Sequence, residues 1–233
     1  MIFWLPSFFF LSKETRWKII KLWAMTHLWL QYIIVGTRYD FKGMENIQKG
    51  TNYLVAGKHQ SAWETYTLLL FFDDPAYILK RSLMRLPLFG WYAKKMQTVA
   101  IDRGKGSVAL NSITKNAKKM MAASPRQIII YPEGTRKLAG APPKYKYGIT
   151  HLYHTLETPV LPVALNSGLF WARETFMRYP GTILVEFLEP IKPGLKKDVF
   201  AKKLENMIET KTLEQMKQTA NSENPPPLAK QFL

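Results

Sequence analysis

Hydrophobic positions follow two regimes along this chain. Up to residue 35 they crowd together. Residues 1–11 read MIFWLPSFFFL, and a second apolar stretch, 19–35, is interrupted by Lys21, His27 and Gln31. From Gly36 onward, short β-branched or apolar runs alternate with segments of helical spacing. The runs 53–57, 76–79, 98–101, 127–131, 160–166 and 182–188 predict strands; 64–72, 86–95, 107–122 and 147–157 predict helices. Within 107–122, Val108, Ile113, Ala117 and Met120 share roughly one face, with Lys115, Lys118 and Lys119 elsewhere. A long amphipathic segment, 196–219, carries Val199, Phe200, Leu204, Met207 and Ile208 on its apolar side. This alternation predicts an α/β fold over 36–220: a central mixed sheet flanked by helices. Residues 221–233, with Pro225, Pro226 and Pro227, read as a flexible C-terminal tail.

Neither N-terminal stretch reaches the ~20 clean apolar residues of a spanning helix. Lys13, Arg16, Lys18 and Lys21 follow the first apolar run instead of preceding it, and no small-residue cleavage site appears, which argues against a secretory signal. Trp17, Trp23 and Trp29 recur in the same region, and tryptophan favours the headgroup level of a bilayer. Residues 1–35 therefore read as an apolar helical membrane anchor, interfacial or shallowly inserted. The other reading is a hydrophobic helix pair packed on the core. The flanking basic residues favour the cytoplasmic face of the inner or plasma membrane.

Composition narrows the chemistry. Lys and Arg number 33 and Asp and Glu 17, a net charge of +16 that attracts polyanions. There is no cysteine, which excludes disulfides, thiolate metal sites and a cysteine nucleophile. His27, His59, His151 and His154 form no HExxH pattern, so no metal site is expected. The basic residues are scattered through amphipathic elements without a finger, RNP-like or Gly-rich motif, so no nucleic-acid partner is expected either.

Two constellations carry candidate chemistry. Lys58-His59-Gln60-Ser61-Ala62-Trp63-Glu64 follows a strand-like run and precedes a helix, with Ser61 as a candidate N-cap. Positions i and i+5 do not stack on one helical face. His59 must therefore lie before the helix and Glu64 in its first turn, the chain folding one side chain back to the other. A carboxylate on one ring nitrogen fixes the tautomer and leaves the other nitrogen to accept a proton. The second constellation, Tyr131-Pro132-Glu133-Gly134-Thr135-Arg136, follows the buried-looking run 127–130. Gly134 permits a tight turn and Thr135 adds a hydroxyl. Arg136 presents a planar fork suited to phosphate oxygens, and Glu133 can hold Arg136 or a substrate hydroxyl. Two further stretches are a strand leading into Asp102-Arg103-Gly104, with Lys105 beyond, and a Pro-interrupted strand around Pro162.

In combination these blocks resemble the 1-acylglycerol-3-phosphate acyltransferases, the PlsC-like family of glycerolipid acyltransferases, over about residues 36–190. His59 to Glu64 resembles the HxxxxD block, and Ile101-Asp-Arg-Gly104 the arginine block. Glu133-Gly-Thr-Arg136 matches the EGTR block in full, and Val160-Leu-Pro-Val-Ala164 resembles the proline block. One departure stands out: Glu64 occupies a position where the family usually has Asp. The resemblance implies an enzyme transferring a fatty acyl group from acyl-CoA or acyl carrier protein to the 2-hydroxyl of lysophosphatidic acid, making phosphatidic acid by direct transfer. It implies His59 as general base with Glu64, a substrate site of Arg103, Glu133, Gly134, Thr135 and Arg136, membrane lipids as partners and no cofactor. Alternatives are another acceptor (glycerol 3-phosphate, another lysophospholipid or a lipid A precursor) and a non-catalytic membrane scaffold.

Overall fold

A computed structural model describes residues 8, 10–101 and 106–233. Its centre is a seven-stranded sheet in the order β1-β7-β6-β2-β5-β3-β4. The strands are β1 (Thr37–Lys42), β2 (Tyr53–Gly57), β3 (Pro75–Lys80), β4 (Val99–Ile101), β5 (Gln127–Ile130), β6 (Val160–Leu165) and β7 (Gly181–Phe187). β2 to β6 run parallel; β7 pairs antiparallel with β6, and β1 parallel with β7. The sheet is therefore mixed and flanked by helices, as the alternation of runs predicts. β1 escapes the sequence pattern because Arg38, Asp40 and Lys42 interleave with Tyr39 and Phe41. Such charges suit an edge strand, and only Thr37 is buried.

The helices are α1 (Lys13–Val35), α2 (Trp63–Thr67), α3 (Phe89–Lys95), α4 (Gly106–Ala123), α5 (Tyr147–Leu156) and α6 (Lys197–Ala220). The run 64–72 tightens after α2 into a 3-10 turn, Leu68–Phe71. Alternate residues of the central strands feed opposite cores. Tyr53, Val55 and Ile129 face α1 and the end of α6, while Leu54, Ala56 and Ile128 face α4, α5 and the start of α6. α6 spans both layers: Phe200, Leu204 and Ile208 lie in one core, Met216 and Ala220 in the other.

The C-terminal segment differs from a flexible tail. Pro227–Phe232 forms a 3-10 turn with Ala229 buried, and Phe232 packs on the core. Residues three apart in a 3-10 turn share a face, so both side chains reach the same surface.

α1 packs on the core along one side and leaves other apolar residues exposed. Trp17, Ile20, Ala24 and Leu28 form a buried stripe, whereas Leu22, Met25, Trp29 and Ile33 are all more than half exposed. No described helix is long and apolar enough to cross a membrane. The start of α1 is tied to the sheet through Asp74, just before β3. Its carboxylate accepts from Trp17 Nε1 (3.0 Å) and pairs with Lys13 and with Arg126 Nε (2.8 Å). The Arg126 side chain is only 1% exposed. Replacing Arg126 with Met removes the buried cation from that carboxylate, leaving Trp17 and the partly exposed Lys13 as its partners, and is expected to cost about 2 kcal/mol. Urea unfolding measures this, and hydrogen exchange in the first turns of α1 should accelerate with it.

Candidate active site

The candidate residues collect where the parallel strands end. β2 stops at Gly57, with β5 and β6 as its neighbours. Residues following all three strands therefore meet at one edge, the customary place for a site in an α/β sheet. Gly57 has a local reason. A Cβ there would come within 3.2 Å of the Tyr131 ring, so glycine leaves that ring room to lie close. Tyr131 in turn stacks on His59, with ring centroids 3.9 Å apart and planes 13° from parallel. The Lys137 N–H donates to the His59 carbonyl (2.8 Å), anchoring the backbone behind the ring.

His59 and Glu64 meet as the i+5 spacing requires: Nδ1 lies 2.9 Å from Glu64 Oε1. The same oxygen accepts from the backbone N–H of Gln60 (2.8 Å) and of Ser61 (2.7 Å), and Oε2 accepts from Ser167 Oγ (2.8 Å). An oxygen already accepting two amides is an acceptor toward the ring as well, so Nδ1 carries the proton and Nε2 is left unprotonated. Glu64 is fully buried, yet four donors compensate the lost hydration of its charge. The N-cap of α2 is Ala62, one residue beyond the expected Ser61. Ser61 Oγ instead accepts from the Trp63 N–H at 3.2 Å.

Glu133, Gly134, Thr135 and Arg136 form the turn after β5. The Gly134 N–H donates to the Tyr131 carbonyl (2.9 Å), and Gly134 adopts φ +70°, a left-handed conformation that glycine reaches without a Cβ penalty. His59 and all four turn residues line one cavity of about 1150 Å³, larger than the ~300–1,000 Å³ of a common small-ligand site. Away from His59 its walls are mostly apolar, built by Trp17, Ile20, Leu69, Tyr92 and Met96 among others. Burial pushes the Tyr131 and Tyr77 hydroxyls well above their ordinary value, so both stay neutral phenols near pH 7. Glu133 is also raised, chiefly by burial, with the Lys58 ammonium opposing the rise.

The structure thus brings His59, Glu64, Glu133, Gly134, Thr135 and Arg136 together. Arg103 lies outside the described residues. Among the described residues no cluster of His, Asp and Glu has the makings of a metal site. Sequence reading assigned no role to Ser167, which follows β6 and reaches Glu64 from 103 residues away. It also assigned none to Glu209 on α6, which pairs with Lys58. Neither carries a local signal; only the sheet topology brings them here. Tyr131 precedes the Glu-Gly-Thr-Arg block, but nothing local marks it as the surface on which His59 rests.

Comparison with known proteins agrees with this architecture. Residues 38–166 match the family model described as Acyltransferase. A 1-acyl-sn-glycerol-3-phosphate acyltransferase of Pseudomonas aeruginosa is 36% identical over 167 residues, covering 72% of this chain and 64% of the relative. A Saccharomyces cerevisiae protein of the same name is 28% identical over 189 residues, covering 76% and 61%. The chain thus spans under two thirds of the length of these curated relatives. The crystal structure of the 1-acyl-sn-glycerophosphate (LPA) acyltransferase PlsC from Thermotoga maritima superposes with a TM-score of 0.70 at 22% identity, covering 88% of this chain and 85% of that one. At that identity the likeness speaks for the fold alone.

The four bonds at Glu64 separate two substitutions. Glu64→Ala strands two buried backbone N–H groups and the ring N–H, an expected loss of about 3 kcal/mol or more. Glu64→Gln keeps an acceptor oxygen and can turn its amide toward Ser167, so about 1 kcal/mol is expected. Denaturant midpoints of both variants check this; equal losses would contradict it.

Proposed function

The chain belongs to the acyltransferase family, and from that premise we propose that it transfers a fatty acyl group from an acyl thioester to the 2-hydroxyl of lysophosphatidic acid, yielding phosphatidic acid. The observation that carries this reading is His59, held by the buried Glu64, lining a large, mostly apolar cavity beside the Glu133–Arg136 turn. His59 Nε2 takes the proton of the acceptor hydroxyl as its oxygen attacks the thioester carbonyl. The tetrahedral intermediate collapses, the thiolate leaves, and the imidazolium returns the proton to it. Glu64 stabilises that imidazolium and holds its orientation. Ser61 supports direct transfer: it is fully buried, its hydroxyl already accepts from Trp63, and it is not part of the cavity wall.

In this reading Arg136, with Arg103, binds the acceptor phosphate, Thr135 adds a hydroxyl donor, and the acyl chain lies along the apolar wall. The donor is acyl-CoA or acyl carrier protein. The exposed stripe of α1, Leu22, Met25, Trp29 and Ile33, is the membrane-facing part of a 1–35 anchor on the cytoplasmic leaflet. Residues 36–220 form the acyltransferase domain.

A purified protein, a labelled acyl thioester and a panel of acceptors test the assignment. Lysophosphatidic acid should be acylated; turnover with a different acceptor alone would overturn the substrate, and no turnover with any donor would favour a scaffold. His59→Ala should lower kcat by at least about a hundredfold while leaving vesicle binding intact. Arg136→Ala should raise KM for the phosphorylated acceptor by about tenfold with less effect on kcat.

A further inference from the structure

Lys58 sits between the last residue of β2 and His59, yet its side chain is only 3% exposed. Its Nζ donates to Glu133 Oε1 (3.1 Å) and to both oxygens of Glu209 (2.8 and 2.9 Å). An ammonium has three donors, so all of them are engaged within the protein and none is left for a ligand. Glu209 comes from α6, beyond the stretch matched by the family model. The helix is set at this point by Leu204 and Ile208, both fully buried. Tyr145 OH donates to Glu209 Oε1 at 2.9 Å and completes the group.

The network leaves one oxygen over. Glu133 Oε2 is buried with no hydrogen-bond partner in the protein, while the residue itself lines the cavity that holds His59. A buried carboxylate oxygen without a donor is costly, and here its neighbour Oε1 is held firmly by Lys58. We propose that Lys58, Glu209 and Tyr145 are positioning residues: they hold Glu133 by Oε1 so that Oε2 accepts a hydrogen bond from a glycerol hydroxyl of the acceptor. The proposal rests on the acyltransferase reading above.

The charges around Glu133 make the idea testable. Burial and Glu209 oppose its ionised form, whereas Lys58 favours it. Glu205 acts on Tyr145 from α6, the stem of Lys146 lies beside Gly134, and Arg136 closes the same turn. Removing the Lys58 charge should therefore move the Glu133 titration up. Removing the Glu209 charge should move it down. A purely structural part in helix packing would not give opposite signs.

The experiment compares wild type, Lys58→Met, Glu209→Gln and the double variant. Two quantities are read: KM and kcat with lysophosphatidic acid, and the Glu133 carboxyl titration by 13C NMR. Lys58→Met should raise the acceptor KM about tenfold, more than it lowers kcat, because a cation is removed from between the buried Glu133 carboxylate and the partly buried Glu209. The double variant should lie nearer wild type than Lys58→Met does, since it also removes the second carboxylate's charge. Glu209→Gln, which keeps its shape, carries the titration test by itself where Lys58→Met does not fold. Working wild type with an unchanged KM in Lys58→Met, or a double variant worse than Lys58→Met, would overturn the positioning role and leave the acyltransferase reading standing. Wild type that acylates no acceptor would sink that reading instead. The titration then still decides the network: shifts of opposite sign uphold it, and an unmoved Glu133 ends it.

Discussion

A fully buried carboxylate at the edge of a parallel sheet is the constraint on which the rest of the site depends. Glu64 can lie in the interior because four donors converge on it: two backbone amides of its own turn, the Ser167 hydroxyl and the His59 ring. Each donor fixes a different part of the fold. The amides set the path from β2 into α2. Ser167 ties that path to the end of β6. The ring is left with one orientation and one free nitrogen. Glutamate in place of the shorter aspartate is compatible with this geometry, its two oxygens reaching the ring on one side and Ser167 on the other.

The sheet does the gathering. Parallel β2, β5 and β6 end at the same edge, so the histidine loop, the Glu-Gly-Thr-Arg turn and Ser167 are neighbours although far apart in the chain. β7, running the other way, and β1 beside it extend the sheet away from this edge. On one face α1 supplies Trp17 and Ile20 to the cavity wall while showing a second apolar stripe to solvent. One helix thus shapes the cavity and, in the proposed reading, meets the lipid surface.

Much of this was legible in the sequence because its causes are local. The continuous apolar runs of β2, β5 and β6 mark strands buried on both faces, and the spacing of His59 and Glu64 already demands a turn between strand and helix. The Glu-Gly-Thr-Arg block declares its glycine through the left-handed backbone it adopts. What was not legible depends on distance along the chain. Glu209 and Ser167 are ordinary residues until the topology brings them against Lys58 and Glu64. β1 hid its strand behind alternating charges. The proline-rich end looked loose because the burial of Ala229 and Phe232 is decided by the surface they meet.

The tautomer of the His59 ring tests the central idea most directly. 15N NMR of the histidine side chains near neutral pH, assigned with His59→Gln, reads it without needing turnover. The expected result is a proton on Nδ1, shifted downfield by its bond to Glu64, with Nε2 unprotonated, and loss of that downfield signal in Glu64→Ala. A ring protonated on Nε2 alone, or an Nδ1 signal indifferent to Glu64→Ala, would contradict the role of the buried carboxylate and with it the use of His59 as the base.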